Sequence, residues 1–263
     1  MNNIFIYSNS DISSYNIKNE LNNLLISKGI NVVDSFNDKV ELIISIGGDG
    51  TFLSDVKDSN FSNVPILGIN TGHLGFFAEY NPDELNDVCN LCLNDDYIVQ
   101  KYKTIKTYVN TSKDKLVLDP AVNDVFVKHK SSVVHLDLYI GDELVENFSG
   151  DGILVSSSAG STAYNYSLGG SIVDPNVDLL QITPVAGSNN AVYRSLTSSI
   201  VVSSEKAITI KPKDENSTIV VIDGIEYIID EIKDINISLS DKEINVVRRK
   251  NYSFFSKVRT KFL

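Results

Sequence analysis

The chain has 263 residues, of which 42% are hydrophobic and 22% are charged, a composition typical of globular rather than disordered or fibrous proteins. No stretch approaches the ~18 consecutive apolar residues of a membrane-spanning helix. The N-terminus lacks a basic segment ahead of an apolar one, so we expect a cytoplasmic protein without a secretory signal. The net charge of −11 argues against a protein that binds nucleic acid by neutralising its phosphates.

The first hundred residues alternate between strand-like and helix-like patterns. Apolar runs at residues 4–7, 32–33, 40–46 and 65–69 predict four strands. Ile17, Leu21, Leu24 and Leu25 lie on one face of a predicted helix that ends near Gly29. Alternation of this kind predicts a parallel sheet with helices on its faces. We therefore expect an α/β domain over residues 1–100.

Cys89 and Cys92 are the only two cysteines, and their Cys-x-x-Cys spacing suggests a metal or redox site. The residues before them favour another interpretation. A helix start is predicted at residues 81–84, and the two cysteines share one helix face with Leu85 and Val88. Zinc needs four ligands, and no second cysteine pair is present. We therefore predict two buried thiols that pack as small apolar groups.

After about residue 97 the pattern changes to short strand-like runs separated by turns. Asp223-Gly224 lies between apolar runs and is the strongest hairpin signal, while Gly141-Asp142 and Ser240-Asp241 predict further turns. One helix is predicted near residues 161–168. These patterns predict an all-β, sandwich-like domain over residues 101–247.

The remaining segment, residues 248–263, is rich in cations and aromatic residues. We expect it to dock its aromatic rings while its cations stay solvated, although a tail for nucleic acid or membranes is the alternative.

One loop combines glycines with an acid. The residues Gly47-Gly48-Asp49-Gly50-Thr51 follow a predicted buried strand and precede a helix-like stretch, which places them where α/β folds bind ligands. The backbone N–H groups of such a loop form an anion cradle. A carboxylate there repels phosphates unless it takes a proton or approaches a metal ion. Asp49 is therefore a candidate general base or magnesium partner. The alternative is a glycine turn with a solvent-facing acid.

Three more features suggest a nucleotide ligand. Gly150-Asp151-Gly152 is followed by a loop rich in small hydroxyl residues that ends at Tyr164, and this loop suits a closely held polar ligand or simply a capped helix start. Asn123-Asp124 offers an amide and a carboxylate to a nucleoside, or forms a turn. Between residues 43 and 80 the only Lys or Arg is Lys57. A phosphate site there must rely on backbone dipoles and a divalent ion, which predicts magnesium dependence.

Four motifs, in this order and spacing, resemble the bacterial NAD kinases, and most closely their compact Gram-positive form: residues 47–51, 70–76, 123–124 and 160–164. The first motif alone is shared with diacylglycerol and sphingosine kinases and, loosely, with phosphofructokinases. The resemblance covers nearly the whole chain. It implies an N-terminal α/β domain, a C-terminal β-sandwich, and a tail, residues 248–263, that returns to the first domain. It also implies a homotetramer, or a homodimer, with the nucleotide site between the domains.

The resemblance implies a magnesium-dependent reaction in which ATP or polyphosphate phosphorylates the 2′-hydroxyl of the adenosine ribose of NAD, giving NADP. Magnesium would be carried by the triphosphate near Asp49, without fixed protein ligands. Asp49 would be the base, Phe76 would line the adenine pocket, and Asp151 would reach a nicotinamide portion bound mainly by a neighbouring subunit. The implied nucleotide-binding residues are Gly47, Gly48, Asp49, Gly50, Thr51, Phe76, Asn123, Asp124, Asp151, Thr162, Ala163, Tyr164, Asn165, Tyr166, Ser167 and Ala186.

Three positions depart from the pattern of that family. Ser149 stands where a basic residue is usual, Ser158 replaces a common proline, and Gly224 replaces a larger polar residue. The first departure weakens the expected contact with the triphosphate. Two other hypotheses stay open: a lipid kinase of the same superfamily, and a sensor that binds NAD or NADP without turnover. We expect neither a nucleic acid nor a membrane partner.

Overall fold

The computed structural model describes residues 3–72, 75–191 and 194–263. The strands are β1 (Asn3–Ser8), β2 (Asn31–Val33), β3 (Leu42–Ile46), β4 (Ile66–Ile69), β5 (Ala78–Tyr80), β6 (Ile98–Thr111), β7 (Lys115–Val117), β8 (Asp124–His129), β9 (Val134–Ile140), β10 (Glu143–Gly150), β11 (Gly152–Ser156), β12 (Leu179–Val185), β13 (Ile200–Ser203), β14 (Ile208–Pro212), β15 (Thr218–Ile222), β16 (Ile225–Ile228) and β17 (Ile232–Arg248). The helices are α1 (Ile12–Ser27), α2 (Asp49–Asp58), α3 (Leu85–Asn94), α4 (Tyr164–Ser167) and α5 (Phe254–Phe262), with 3₁₀ turns at Pro82–Glu84 and Ala159–Thr162.

The chain divides into two compact units. The first unit comprises Met1–Lys101 and Glu243–Leu263, and the second comprises Tyr102–Lys242. The long strands β6 and β17 each have residues in both units. The domain boundaries expected at residues 100 and 247 stay predictions, because compactness alone does not define a segment that folds independently.

The first unit is built on a parallel sheet, as the alternating pattern predicts. Its strands lie in the order β2-β1-β3-β4, and their pairings are all parallel. Strand β5 pairs with β4 at Gly68 and Ile69, and the C-terminal end of β17 pairs with β4 at Ile66. Strand β3 is buried along its whole length. The loop that starts at Gly47 directly follows the last residue of β3, so it leaves the sheet at its carboxyl edge, where α/β sheets bind ligands.

Helices α1 and α3 share one apolar cluster with β1 and β3. The cluster includes Leu21 of α1, Ile44 of β3 and the two cysteines of α3, which are free thiols. Burial raises the pKa of Cys92 to about 12, so this thiol stays protonated at neutral pH. The interpretation of Cys89 and Cys92 as buried apolar thiols is confirmed. The predicted helix start is confirmed as well, since Glu84 accepts a hydrogen bond from the backbone N–H of Asn81 at 2.9 Å.

The second unit is a sandwich of two antiparallel sheets. One sheet has the order β13-β12-β11-β8-β15-β16, and the other has the order β10-β9-β14-β17, with β6 pairing to β17 and β7 to β6. Apolar side chains from both sheets, such as Val155 and Ile210, form one continuous core. The predicted fold class, an α/β domain followed by an all-β sandwich, is therefore confirmed. The turns at Gly141-Asp142 and Asp223-Gly224 close two antiparallel hairpins, as predicted.

One local prediction was wrong, and a second was right only in part. Ser240-Asp241 is not a turn, because β17 runs through it without interruption from Ile232 to Arg248. Pairing with neighbouring strands overrides the weak strand preference of these two residues. The helix expected over residues 161–168 is only a 3₁₀ turn followed by the four residues of α4. Its first turn is interrupted at Ala163, whose backbone lies outside the helical region.

Within the described ranges, no helix is long and apolar enough to cross a membrane.

Candidate functional site

The glycine loop of the first unit forms the N-terminal end of helix α2. The helix begins at Asp49, and Gly48 is its N-cap. Glycine has no side chain with which to cap the first amide groups, and no side-chain cap forms within the described residues. A Cβ on Gly48 or Gly50 would meet no atom within 4 Å, whereas one on Gly47 would overlap the side chain of Thr51. The loop is therefore closed on its inner side and open at Gly48 and Gly50. Its free amides can face an anion there.

The carboxylate of Asp49 is held by two backbone amides. Phe76 donates its N–H to Oδ2 at 2.8 Å, and Phe77 donates its N–H to Oδ1 at 3.1 Å. Asp49 is partly buried, and a Cβ on Gly75 would overlap its carboxylate, so glycine is needed for this approach. Each carboxylate oxygen has about two acceptor positions, and within the described part of the chain each uses one of them. The side chain is thus fixed in one orientation and can still accept a further proton or hydrogen bond.

The two phenylalanines whose backbone amides bind the Asp49 carboxylate pack in opposite directions. The ring of Phe77 stacks on that of Phe52 in α2, with centroids 4.6 Å apart and planes within 4°. The ring of Phe76 contacts Phe254 and Phe262 of α5, at 6.0 Å and 5.6 Å between centroids. Phe76 is only 7% exposed, so the structure places its ring within the first unit. His73 and Leu74, which belong to the same sequence motif, lie outside the described residues.

The cations of the C-terminal segment do not all stay solvated, so that prediction was wrong. Arg248 is fully buried. Its guanidinium donates to Gln100 at 2.9 Å and to the backbone oxygen of Phe77 at 3.2 Å, and it pairs with Glu79 at 3.3 Å. These partners compensate the cost of burying the charge. The side chain of Lys257 in α5 is only 11% exposed and also lies beside Glu79, at 3.6 Å.

In the second unit, Asp223 is the centre of a hydrogen-bonded group that sequence reasoning missed. Its carboxylate accepts backbone N–H bonds from Val122 at 2.7 Å, Asn123 at 2.8 Å and Asp124 at 3.0 Å. Asp223 occupies the left-handed region, with φ of 47°, in the predicted hairpin turn before Gly224. The Asp-Gly pair signalled the turn, but no local pattern indicated where the acid would point.

Asp124 is a buried acid beside this charge. It is 7% exposed, and burial together with the negative charge of Asp223 raises the pKa of Asp124 to about 7. Burial also raises the pKa of Asp223, against the lowering effect of its three backbone N–H donors. Asn123 Oδ1 is buried and has no hydrogen-bond partner within the residues that the structure describes. Asp124 thus offers a protonatable carboxyl, and Asn123 offers an acceptor that lacks a donor within the described residues.

The loop of small hydroxyl residues packs directly on Asn123. Ser157 donates its backbone N–H to the backbone oxygen of Asn123 at 2.9 Å. Its hydroxyl donates to the backbone oxygen of Val122 at 2.6 Å. A Cβ on Gly160 would overlap the backbone of Asn123, so this glycine permits close packing. Two of the predicted motifs, Asn123-Asp124 and the segment that starts at Gly160, are therefore brought together in the second unit.

The residues of this segment face different environments. Tyr164 and Tyr166 are 46% and 41% exposed, and Ser167 is exposed as well. Thr162 is buried and Ala163 partly so. Asn165, by contrast, is fully buried. It accepts a hydrogen bond from the Thr183 hydroxyl at 2.7 Å and donates to the Ser161 oxygen at 3.2 Å. Its side chain holds the loop, while the tyrosines and Ser167 present their side chains to solvent.

Asp151 and Ala186 lie close to each other in the second unit. Both are exposed, and Asp151 donates its backbone N–H to the Val185 oxygen at 2.9 Å. Ala186 has a φ of 47°, an uncommon conformation for a residue with a Cβ.

The three positions that depart from the family pattern have separate environments. Ser149 is buried, and its backbone oxygen accepts the N–H of Ser188 at 2.7 Å. The Ser158 hydroxyl donates to the Val177 oxygen. Gly224 is exposed, with a φ of 85° that favours glycine.

Two family models match the chain. Residues 6–97 match the N-terminal domain of the ATP-NAD kinases, and residues 122–249 match their C-terminal domain. Among curated proteins, the chain is 37% identical to an NAD kinase of Finegoldia magna, over 99% of this chain and 97% of that protein. It is 33% identical to NAD kinase 1 of Listeria monocytogenes, over 94% of this chain and 95% of that protein.

Two solved structures share the fold. A yeast NADH kinase complexed with NADH superposes with a TM-score of 0.86 at 22% identity, covering 98% of this chain and 86% of that one. An NAD kinase from Archaeoglobus fulgidus in complex with ATP gives a TM-score of 0.77 at 24% identity, covering 99% of each chain. At these identities the similarity establishes the fold.

Proposed function

The chain belongs to the NAD kinase family, and we propose that it transfers the γ-phosphoryl group of ATP to the 2′-hydroxyl of the adenosine ribose of NAD, giving NADP. The observation that carries this proposal is the Asp49 carboxylate, which two backbone amides orient at the first turn of a helix beside an open glycine loop. A base in a fixed position and a phosphate cradle are the two parts that phosphorylation of a hydroxyl requires.

We assign the triphosphate to the glycine loop. The amides at the start of α2 lack side-chain caps within the described residues, and Gly48 and Gly50 leave room for close approach. The positive end of the helix dipole favours an anion at this position. Polyphosphate carries the same repeating anionic groups, so it is a second candidate donor.

We propose that magnesium enters the site on the triphosphate. Within the described residues, no cluster of three or more His, Cys, Asp or Glu side chains could hold a metal ion. Both oxygens of Asp49 keep acceptor capacity, so this carboxylate suits a shared position near the ion. When bound, magnesium offsets the charge on the phosphate oxygens. No other residue of the loop, which runs from Gly47 to Thr51, is charged.

In the proposed reaction, Asp49 accepts the proton of the ribose 2′-hydroxyl. The 2′-oxygen then forms a bond to the γ-phosphorus as the bond from that phosphorus to the leaving oxygen of ADP breaks. The electron pair of the broken bond stays on ADP. Asp49 is suited to this step because its amide donors fix its direction before the substrate arrives, and orientation of this kind supplies much of the catalysis in phosphoryl transfer.

We assign the adenosine part of NAD to the second unit. Asn123 Oδ1 is buried without a donor within the described residues, and an N–H or O–H of the nucleoside would satisfy it. Asp124, with a pKa of about 7, can donate or accept a hydrogen bond near neutral pH. Phe76 is proposed to contribute to the adenine pocket. The remaining dinucleotide contacts are proposed for Thr162, Ala163, Tyr164, Tyr166 and Ser167, with Asn165 holding their loop.

We also propose a homotetramer, or a homodimer, that works in the cytoplasm on NAD and ATP. Exposed apolar side chains of the second unit, among them Leu144 at 50% and Leu196 at 43%, favour association. Asp151 is exposed and is proposed to reach the nicotinamide portion of NAD bound mainly by a neighbouring subunit, with the exposed Ala186 nearby. Analytical ultracentrifugation of the purified protein measures the oligomeric state.

A coupled assay of NADP formation tests the proposed function. Purified protein is incubated with Mg²⁺ and NAD, NADH or diacylglycerol as acceptor, and with ATP, other nucleoside triphosphates or polyphosphate as donor. We expect NADP from NAD and ATP, no phosphorylation of diacylglycerol, and no turnover without Mg²⁺. Tight NADP binding in calorimetry without turnover for any donor would replace this proposal with a nucleotide sensor.

The variant Asp49→Asn tests the role of the base. It keeps the size of the side chain, but an NH₂ group replaces one of the two acceptor oxygens, and the amide takes up a proton far less readily than a carboxylate. We expect turnover to fall about 100-fold or more, while NAD affinity and oligomeric state stay unchanged. Turnover close to that of the wild type would remove Asp49 from the mechanism.

A further inference from the structure

One peptide group lies between a lysine and the proposed catalytic acid. The peptide that joins Phe76 to Phe77 donates its N–H to Asp49 Oδ1 at 3.1 Å, and its carbonyl oxygen accepts a hydrogen bond from Lys257 Nζ at 3.2 Å. All of these residues belong to the first unit. A cation on the oxygen and a carboxylate on the N–H polarise the peptide in the same direction, and hydrogen bonds arranged in a chain strengthen one another.

The ammonium group of Lys257 binds the segment of residues 76–79 through several contacts. Besides the Phe76 oxygen it donates to the Ala78 oxygen, and it lies 3.6 Å from Glu79 Oε2. Arg248 donates to the oxygen of the next peptide, that of Phe77, at 3.2 Å. Lys257 and Arg248 thus bind the carbonyl oxygens of Phe76 and Phe77, the two residues whose backbone N–H groups hold Asp49.

The environment of Lys257 makes its charge sensitive to pH. Burial and the neighbouring Arg248 lower the pKa of Lys257 to about 8, against the opposing effect of the carboxylates of Glu79 and Asp49. The titratable and charged groups around Lys257 are Glu79 and Tyr80 of β5, Arg248 of β17, Tyr252, whose ring centroid lies 5.6 Å from Nζ, Asp49 of α2 and, on the same helix α5, Lys261. The pKa of Tyr80 is raised, mainly by burial, so Tyr80 is neutral over the relevant range.

We propose that Lys257 is a positioning residue for phosphoryl transfer, which holds the Phe76–Phe77 peptide so that its N–H keeps Asp49 in the orientation of a base. This inference rests on the proposed function of Asp49. It gives the C-terminal helix α5 a part in the reaction through the backbone rather than through contact with the substrate. Loss of the Lys257 charge removes a hydrogen-bond donor from the segment of residues 76–78 and lets the Asp49 carboxylate turn. The groups proposed to bind NAD in the second unit do not change.

Steady-state kinetics of Lys257→Met and Lys257→Arg test the proposal. Methionine keeps the length and apolar character of the lysine side chain without its charge, so we expect kcat to fall about 10- to 100-fold, with KM for NAD changed less than about twofold. Arginine keeps the charge and should restore most of kcat. In the wild type kcat should decline as the pH rises through about 8, where Lys257 loses its proton, and in Lys257→Arg this decline should move to higher pH, because arginine stays protonated.

Lys250→Met is the matched control. Lys250 lies in the same C-terminal segment, its side chain is 66% exposed, and its ion pair with Asp96 is on the surface. This variant removes the same charge and should leave kcat and its pH dependence unchanged. A folded Lys257→Met protein with kcat within twofold of the wild type would overturn the proposal. If Lys257→Met does not fold, an alkaline decline that is unchanged in Lys257→Arg overturns it.

Amide hydrogen exchange separates this inference from the proposed function. The peptide fragment that covers residues 75–80 should exchange about tenfold faster or more in Lys257→Met than in the wild type or Lys250→Met, whether or not the protein makes NADP. Absence of NADP formation in the wild type contradicts the proposed function alone. Unchanged exchange in this fragment of a folded Lys257→Met protein contradicts the positioning role alone.

Discussion

Asp223 Oδ1 lies 2.8 Å from the backbone nitrogen of Asn123, a residue one hundred positions earlier in the chain. The same oxygen accepts the N–H of Asp124 at 3.0 Å, and Oδ2 accepts that of Val122 at 2.7 Å. One carboxylate in a hairpin turn therefore holds three successive amides at the start of β8. It fixes the backbone of both residues that we assign to adenosine.

Replacement of Asp223 by Asn tests this anchoring. The amide offers one acceptor oxygen in place of two, and its NH₂ group would face a backbone N–H. We expect a loss of about 1–3 kcal/mol of stability, because buried N–H groups lose their acceptor. KM for NAD should rise as Asn123 and Asp124 become less well placed. Differential scanning calorimetry and steady-state kinetics measure the two effects.

The exposed acid of the other Gly/Asp hairpin turn supplies the control for that change. Asp142→Asn makes the same substitution at a residue that lies on the surface. It should leave the melting temperature and KM for NAD unchanged. Equal behaviour of Asp223→Asn and Asp142→Asn would show that the three amide contacts contribute little.

Much of the fold was predictable because its signals are local. Alternation of apolar runs with helix-like stretches predicts the parallel sheet, and the glycines around Asp49 mark the end of a buried strand. The hairpins at Gly141-Asp142 and Asp223-Gly224 follow from turn chemistry. Ser240-Asp241 misled because β17 runs through both residues without interruption, and the length of a strand depends on the assembled sheet rather than on local turn chemistry.

The candidate site was only partly predictable. Asp49 stood out because an acid among phosphate-binding glycines is chemically unusual. The groups that hold the site depend on contacts between distant segments. Asp223 lies about one hundred residues from its amide partners, and Lys257 lies 181 residues from Phe76. Arg248 is buried rather than solvated because its partners Gln100 and Glu79 lie 148 and 169 residues away in the sequence. No local pattern encodes such pairings.

Replacement of Gly50 by Ala tests the assignment of the glycine loop to the triphosphate. A Cβ at this exposed position meets no atom within 4 Å, and Gly50 lies in the first turn of α2. Alanine favours a helix over glycine by up to about 1 kcal/mol, so the variant should melt at a slightly higher temperature. KM for ATP should nevertheless rise about tenfold or more, because the methyl group occupies the path of the phosphates.

The control for Gly50→Ala is Ser54→Ala, an exposed change on the same helix. It removes the hydrogen bond that the Ser54 hydroxyl donates to the Gly50 carbonyl oxygen at 3.2 Å, but it adds no atom to the open face of the loop, so ATP kinetics should not change. Unchanged KM for ATP in Gly50→Ala would move the triphosphate away from this loop.

The buried acid Asp124 should make stability depend on pH. Burial and the charge of Asp223 raise its pKa in the folded protein from the ordinary value of 3.8 to about 7. A carboxyl with a raised pKa contributes stability at low pH, and this contribution is lost as the pH rises through about 7. At pH 8 the ionised group costs up to about 4 kcal/mol, at about 1.4 kcal/mol for each pKa unit.

Replacement of Asp124 by Asn removes that ionisation. The variant should therefore gain melting temperature over the wild type at pH 8, and the gain should shrink at pH 5.5, while affinity for NAD falls. Asp55→Asn is the informative comparison, because Asp55 is a buried acid of the first unit whose pKa is also raised to about 7, mainly by burial. It should show the same dependence of stability on pH and leave NAD affinity in calorimetry unchanged. A difference in melting temperature between Asp124→Asn and the wild type that is constant from pH 5.5 to 8 would contradict the assignment of a protonated carboxyl to Asp124.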